Sequence, residues 1–183
     1  MKTIAEPIFL TWAADGGLVP DPRYPASRQQ LVFVDAPDCW RPWSCPTTPA
    51  ETAAFVGAAV GIVGRDQPWR VRLRGGGQFA PNLAATEAES NIAAAVAAAG
   101  LASTTRGAVE FDPTEQSALV QLAVAFALSG YRIETDLEIV NTQRDACLLF
   151  DHHRELIAQF SDHEKLDDFR RGMADAGLPS EVD

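Results

Sequence analysis

Residues 146–160 carry an apolar run, a charged cluster and a second apolar run. Cys147, Leu148, Leu149 and Phe150 lead into Asp151, His152, His153, Arg154 and Glu155, after which Leu156, Ile157, Ala158, Gln159 and Phe160 resume the apolar pattern. Two short apolar runs around a tight polar cluster predict a β-hairpin with a charged tip. The stretch from Tyr131 to Val140 alternates, with Ile133, Thr135, Leu137 and Ile139 on one face. Placed before the hairpin, it predicts a three-stranded antiparallel meander over 131–140, 146–150 and 155–160.

Helix signals punctuate the rest of the chain. Thr48, Pro49 and Glu51 have the spacing of a capping box with proline in the first turn, and Gly64 marks the stop. Asp112, Pro113 and Glu115 repeat that logic ahead of Leu119, Leu122, Ala123, Phe126 and Ala127, up to Gly130. An alanine-rich helix is expected from Asn82 or Thr86 to Ala99. A last helix is expected from Ser161 or Asp162 to Gly177, with Leu166, Phe169 and Met173 as its stripe. Strands are expected at 7–12, 31–34, 69–74 and 108–111, the third with a basic face of Arg70, Arg72 and Arg74. Residues 35–48, which hold Pro37, Pro42 and Pro46, are expected to form a loop. The fold class that follows is α+β: a mainly antiparallel sheet with about four helices packed on it, on one face. The 183 residues are read as one domain, with 180–183 as a frayed tail.

Charge narrows the function classes. The formal net charge is −10, which opposes the phosphate contacts that nucleic-acid binding needs, so no nucleic acid is expected. An acidic surface favours a basic protein partner. No apolar run approaches the length of a membrane span, and Glu6 and Pro7 follow Lys2 closely, which is unlike a signal segment; no membrane partner and a cytoplasmic location are expected. Three cysteines fit a reducing compartment. Cys39 and Cys45 stand too far apart in sequence for the usual zinc pairs.

Two clusters are candidate sites. Trp40, Arg41 and Trp43 have the composition of a binding hot spot, with a lid over the core as the competing reading of the tryptophans. Asp151, His152, His153 and Glu155 crowd the hairpin tip. Carboxylate and imidazole are metal-ligand types. However, neighbouring residues of a strand point to opposite faces, so the two histidines converge only if the turn bends them. His163 lies near enough in sequence to join them. The letters Asp-His-His resemble the signature of the DHH phosphoesterases. That relationship is rejected: no Asp-x-Asp cluster sits at a strand end, and the Gly75-Gly76-Gly77 run precedes the triplet and lacks a histidine. No Gly-x-Ser-x-Gly elbow, Walker loop or Cys-x-x-Cys pair is present.

The expectation is therefore a non-enzymatic acidic protein that binds another protein, such as an immunity-like or antitoxin-like inhibitor, with no cofactor and no metal. Its partner-binding residues are Trp40, Arg41, Trp43, Asp151, His152, His153 and Glu155. The rival is a metal-dependent hydrolase on the Asp151-His152-His153 tip. A structural or assembly subunit is the third class.

Overall fold

The computed structural model describes residues 1–25, 29–64, 66–74, 87–102, 105–130, 135–178 and 181, with 87–89 described by backbone alone. Among these residues, nine strands and five α-helices follow in the order β1 (Lys2–Ile4), α1 (Glu6–Ala14), β2 (Leu18–Pro20), β3 (Leu31–Phe33), β4 (Trp40–Ser44), α2 (Pro49–Gly64), β5 (Trp69–Leu73), α3 (Glu87–Ala98), β6 (Ala108–Phe111), α4 (Gln116–Ser129), β7 (Leu137–Asn141), β8 (Ala146–Asp151), β9 (Glu155–Phe160) and α5 (His163–Asp175). Seven strands form one antiparallel sheet in the order β1-β6-β5-β7-β8-β9-β4, and β2 pairs with β3 in a second, two-stranded sheet. The C-terminal meander is β7-β8-β9, and the fold is α+β.

Local chemistry accounts for the predicted elements. The Thr48 hydroxyl donates to Glu51 at 2.6 Å and opens α2. Asp112 and Glu115 close a full capping box on the 3-10 turn that leads into α4. The Asp162 carboxylate accepts from the Lys165 backbone N–H at 3.0 Å and caps α5. The predicted stripe of α5 is buried, with Leu166, Phe169 and Met173 all at 2% exposure or less. Gly75-Gly76-Gly77 and residues 131–134, like the proposed helix start at Asn82 or Thr86, lie outside the described residues.

The sheet is covered on both faces, not one. Period-two alternation sends Val71, Leu73, Ile139, Leu148, Leu156 and Ala158 into the larger core, which they share with α2, α3, α4 and α5. Val140, Cys147 and Ala108 point the other way, into a smaller core with Phe9, Leu18, Leu31 and Phe33. That second layer consists of α1 and the β2-β3 pair.

Two elements differ from expectation. Residues 7–12 belong to helix α1, not to a strand. A short apolar run without long periodicity fits either state. Burial decides it: Phe9 and Ala13, one helical turn apart, enter the second core while Ile8 stands 64% exposed. Residues 40–44 form strand β4, not a loop. Pro42 is tolerated because β4 is the edge of the sheet, where one side of the strand needs no ladder donor.

The basic face of β5 is also not a solvent face. Arg70 stands opposite Glu110 on β6 and Arg72 opposite Glu138 on β7. The pairs close at 2.8 Å and 2.5 Å. Arg72 and Glu138 are buried under the second layer. There Arg72 also reaches Glu6 of α1 at 2.6 Å, and the other Glu138 oxygen accepts the Leu31 backbone N–H at 2.6 Å. The β2-β3 pair is thus fastened to the sheet by a buried ion cluster. No helix among the described residues is long and apolar enough to cross a membrane.

Candidate functional site

The hairpin tip is a three-residue loop, because Asp151 still pairs with Glu155. Arg154 takes the left-handed conformation, φ 65°, and its N–H returns to the Asp151 carbonyl at 3.0 Å. A turn followed by a left-handed residue is a common way to close a three-residue hairpin. Its consequence is that His152 and His153 are turn residues and do not alternate as strand residues would. Their rings lie 4.1 Å apart between centroids, tilted by 39°. The turn therefore brings the two histidines together. One ligand atom from each of Asp151, His152 and His153 falls within 4.8 Å of the others.

Asp136, just ahead of β7, organises this tip. One of its oxygens takes both the His152 backbone N–H at 2.8 Å and the His152 Nδ1 at 2.7 Å. Its other oxygen accepts from Arg74 at 2.5 Å. Asp136 is only 2% exposed. Since a carboxylate only accepts, its contact places a proton on His152 Nδ1, and Nε2 is the ring nitrogen that Asp136 does not engage. Arg74 also stands 3.8 Å from Asp151 and lies over the Tyr24 ring at 5.5 Å. Asp151 is held in place by the His153 backbone N–H at 2.5 Å.

These residues line one wall of a cleft of about 1080 Å³. Glu155, Ile157 and Gln159 continue that wall at the period of a strand, and Trp40 stands beside Gln159 through the β4-β9 register. The facing wall is built from the β2-β3 pair and its flanks, including Asp21, Arg23, Tyr24, Val34 and Asp38. Asp21 is buried and grips Arg23 through two carboxylate oxygens, at 2.9 to 3.0 Å from Nε and 2.7 Å from Nη2. The Arg23 guanidinium holds the Asp21 carboxyl below the usual carboxylate range. Among the described residues, five carboxylates and two guanidiniums line the cleft, an acidic balance. Of the six large apolar side chains that stand exposed among the described residues, Tyr24, Val34 and Trp40 are on this cleft. No serine, threonine or cysteine lines it among the described residues.

The seven residues singled out from the sequence divide here. Trp40, Asp151, His152, His153 and Glu155 meet in the cleft, although more than a hundred positions separate Trp40 from the rest. Arg41 lies outside it, with its guanidinium 3.6 Å from Glu181. Trp43 lies outside the cleft: it is 2% exposed and sits edge-on to Phe169, 5.1 Å between ring centroids, in the core. The strand places Trp40 and Trp43 on opposite faces, which a loop would not have done. His163 is an exposed first-turn residue of α5, outside the cleft. Cys39 and Cys45 are free thiols at either end of β4, about 20 Å apart at strand rise, far beyond disulfide reach. Sequence reasoning missed Asp136, Arg74, Asp21 and Tyr24. The only signal for Arg74 was its place at the end of the alternating Arg70-Arg72-Arg74 series.

Comparison with protein-family models, with curated proteins and with solved structures finds no significant match.

Proposed function

We propose that this chain is a non-enzymatic acidic protein that binds another protein, in the manner of an immunity-like or antitoxin-like inhibitor, through the cleft between the hairpin tip and the β2-β3 wall. One observation carries the reading. Three exposed apolar side chains, Tyr24, Val34 and Trp40, share that cleft with an excess of carboxylates. Apolar surface concentrated in one concave place, inside a polar rim, is what a protein anchor requires. The carboxylates select a basic segment and speed its arrival. A cytoplasmic setting belongs to the same proposal and is supported by three unpaired, buried thiols.

The test is selection from a displayed peptide library, followed by titration of the selected sequences. Lysine- or arginine-bearing peptides with an apolar anchor are expected. Their binding should weaken with salt and with Trp40→Ala or Glu155→Gln, at unchanged thermal stability. Failure to select any peptide, or binding indifferent to both substitutions, overturns the proposal. The rival reading, a metal-dependent hydrolase, draws on the convergence of Asp151, His152 and His153. It predicts chelator-sensitive hydrolysis, and absence of hydrolysis of ester and phosphoester substrates with added divalent metal decides against it.

A further inference from the structure

We propose that Asp151, His152 and His153 form a binding site for one first-row divalent transition ion, of which zinc is the model, at the hairpin tip. The proposal goes beyond protein binding and stands or falls independently of it.

The donor set is two imidazoles and one carboxylate, the mixture such ions take. The sequence argument against a metal was geometric, and the turn removes it. The donor atoms already lie within 4.8 Å of one another. Around a tetrahedral ion with bonds near 2.0 Å, donors stand about 3.3 Å apart. Closing the three groups around an ion calls on side-chain rotation, which the exposed His153 allows.

A second, independent feature points to the same use. The nearly buried Asp136 holds Nδ1 of His152 at 2.7 Å, so that Nε2 is the available donor. A carboxylate behind a histidine is the arrangement that fixes the tautomer and raises ligand basicity in metal sites. Asp151 is likewise pre-positioned by the His153 backbone N–H. Among the described residues, Asp136, Asp151, Glu155 and Arg74 are charged groups that line the cleft with the site. Arg74 opposes a cation, but it is engaged by Asp136 at 2.5 Å, and the carboxylates outnumber it. With three protein donors, a four-coordinate ion would take its fourth ligand from water or a bound molecule.

The experiment uses tag-free protein freed of metal by chelation. It is titrated with Zn²⁺ by calorimetry and with Co²⁺ by visible absorption, which reports coordination. One equivalent is expected, with cobalt bands of a four- or five-coordinate site. His153→Ala and Asp151→Asn should each weaken binding at least about tenfold, and Asp136→Asn, acting by position alone, by about 10- to 100-fold. His163→Ala, outside the cleft, should leave it unchanged. Circular dichroism checks that each variant is folded, and exposed His153 is the variant least able to disturb folding. Absence of saturable binding, or His153→Ala binding as tightly as the parent, overturns the site. Binding lost equally in His163→Ala also overturns it, because the ion would then be held elsewhere.

Discussion

Truncating Trp43 should unfold the protein far more readily than truncating Trp40, although the two lie three residues apart. Trp43 is 2% exposed and packs edge-on against Phe169, whereas Trp40 is 44% exposed on the cleft. Removing a fully buried large aromatic costs roughly 3–5 kcal/mol, and part of that is the ring pair itself, about 0.5–1.5 kcal/mol. For a chain of this size each kcal/mol moves the melting temperature by about 2–4 °C. A loss of about 4 kcal/mol therefore predicts a drop of about 8–16 °C for Trp43→Ala. With a urea dependence of about 2–3 kcal/mol per molar, the midpoint falls by about 1.3–2 M. Trp40→Ala should stay within about 0.5 kcal/mol of the parent, as surface substitutions do. The assay is urea unfolding of the parent and both variants, followed by tryptophan fluorescence and circular dichroism. A Trp43→Ala midpoint within about 0.5 M of the parent, or equal damage from Trp40→Ala, would refute the division of the two indoles between core and cleft.

The same core supports a coupled prediction. Phe169→Ala, which loses contact with Trp43 and Phe160, should cost about 3–5 kcal/mol. A double-mutant cycle with Trp43→Ala should return a coupling of about 0.5–1.5 kcal/mol, and a coupling of zero would deny the ring contact. At the start of α5, the Lys165 N–H holds the Asp162 carboxyl below its ordinary range. Its stabilisation is therefore complete above the unfolded value near 3.9 and is lost as pH falls through the lower folded one. Asp162→Ala should cost about 1 kcal/mol at neutral pH, and the gap to the parent should close in acid; a gap that stays constant with pH would contradict the cap. Burial pushes the Cys45 thiol up to about 12 and raises Cys39 and Cys147 as well. A thiol reagent at about pH 8 should thus modify no cysteine in the native protein and all three in denaturant. Rapid native labelling would show that one of them is open.

Elements governed by neighbouring residues were legible in the sequence. Thr48 with Glu51 and Asp112 with Glu115 are caps whose bonds span three residues, and Asp162, one of the two expected starts, caps α5 in the same way. The β7-β8-β9 meander needs only two tight connections. Residues 7–12 were misread because Phe9 finds its core through Leu18, Leu31 and Val140, none of which is local. β4 was misread because its three nearby prolines oppose a central strand but not an edge, and edge position is a property of the whole sheet. The cleft shows the same limit. Its tip could be seen, but the β4-β9 pairing that brings Trp40 to it, and the placement of Asp136 behind His152, are long-range facts. His152 and His153 converge because both lie in the turn, where strand alternation ends, and the turn's bend is not spelled out by residue type alone.

The buried cluster of Glu6, Arg72 and Glu138 ties the shape of the cleft to the interior of the sheet. Replacing an ion group of this kind by apolar residues of equal volume is often neutral or stabilising for a fold. Here such a change would also release the Leu31 backbone N–H and the Gln29 carbonyl, which Glu138 and Arg72 hold at 2.6 Å and 3.2 Å. The facing wall would lose these two ties and keep its apolar packing and the Gln159 bond to the Leu31 carbonyl. The three positions should therefore be exchanged together or not at all, and a variant selected for heat resistance alone would tend to drift here first, keeping its core and losing its cleft.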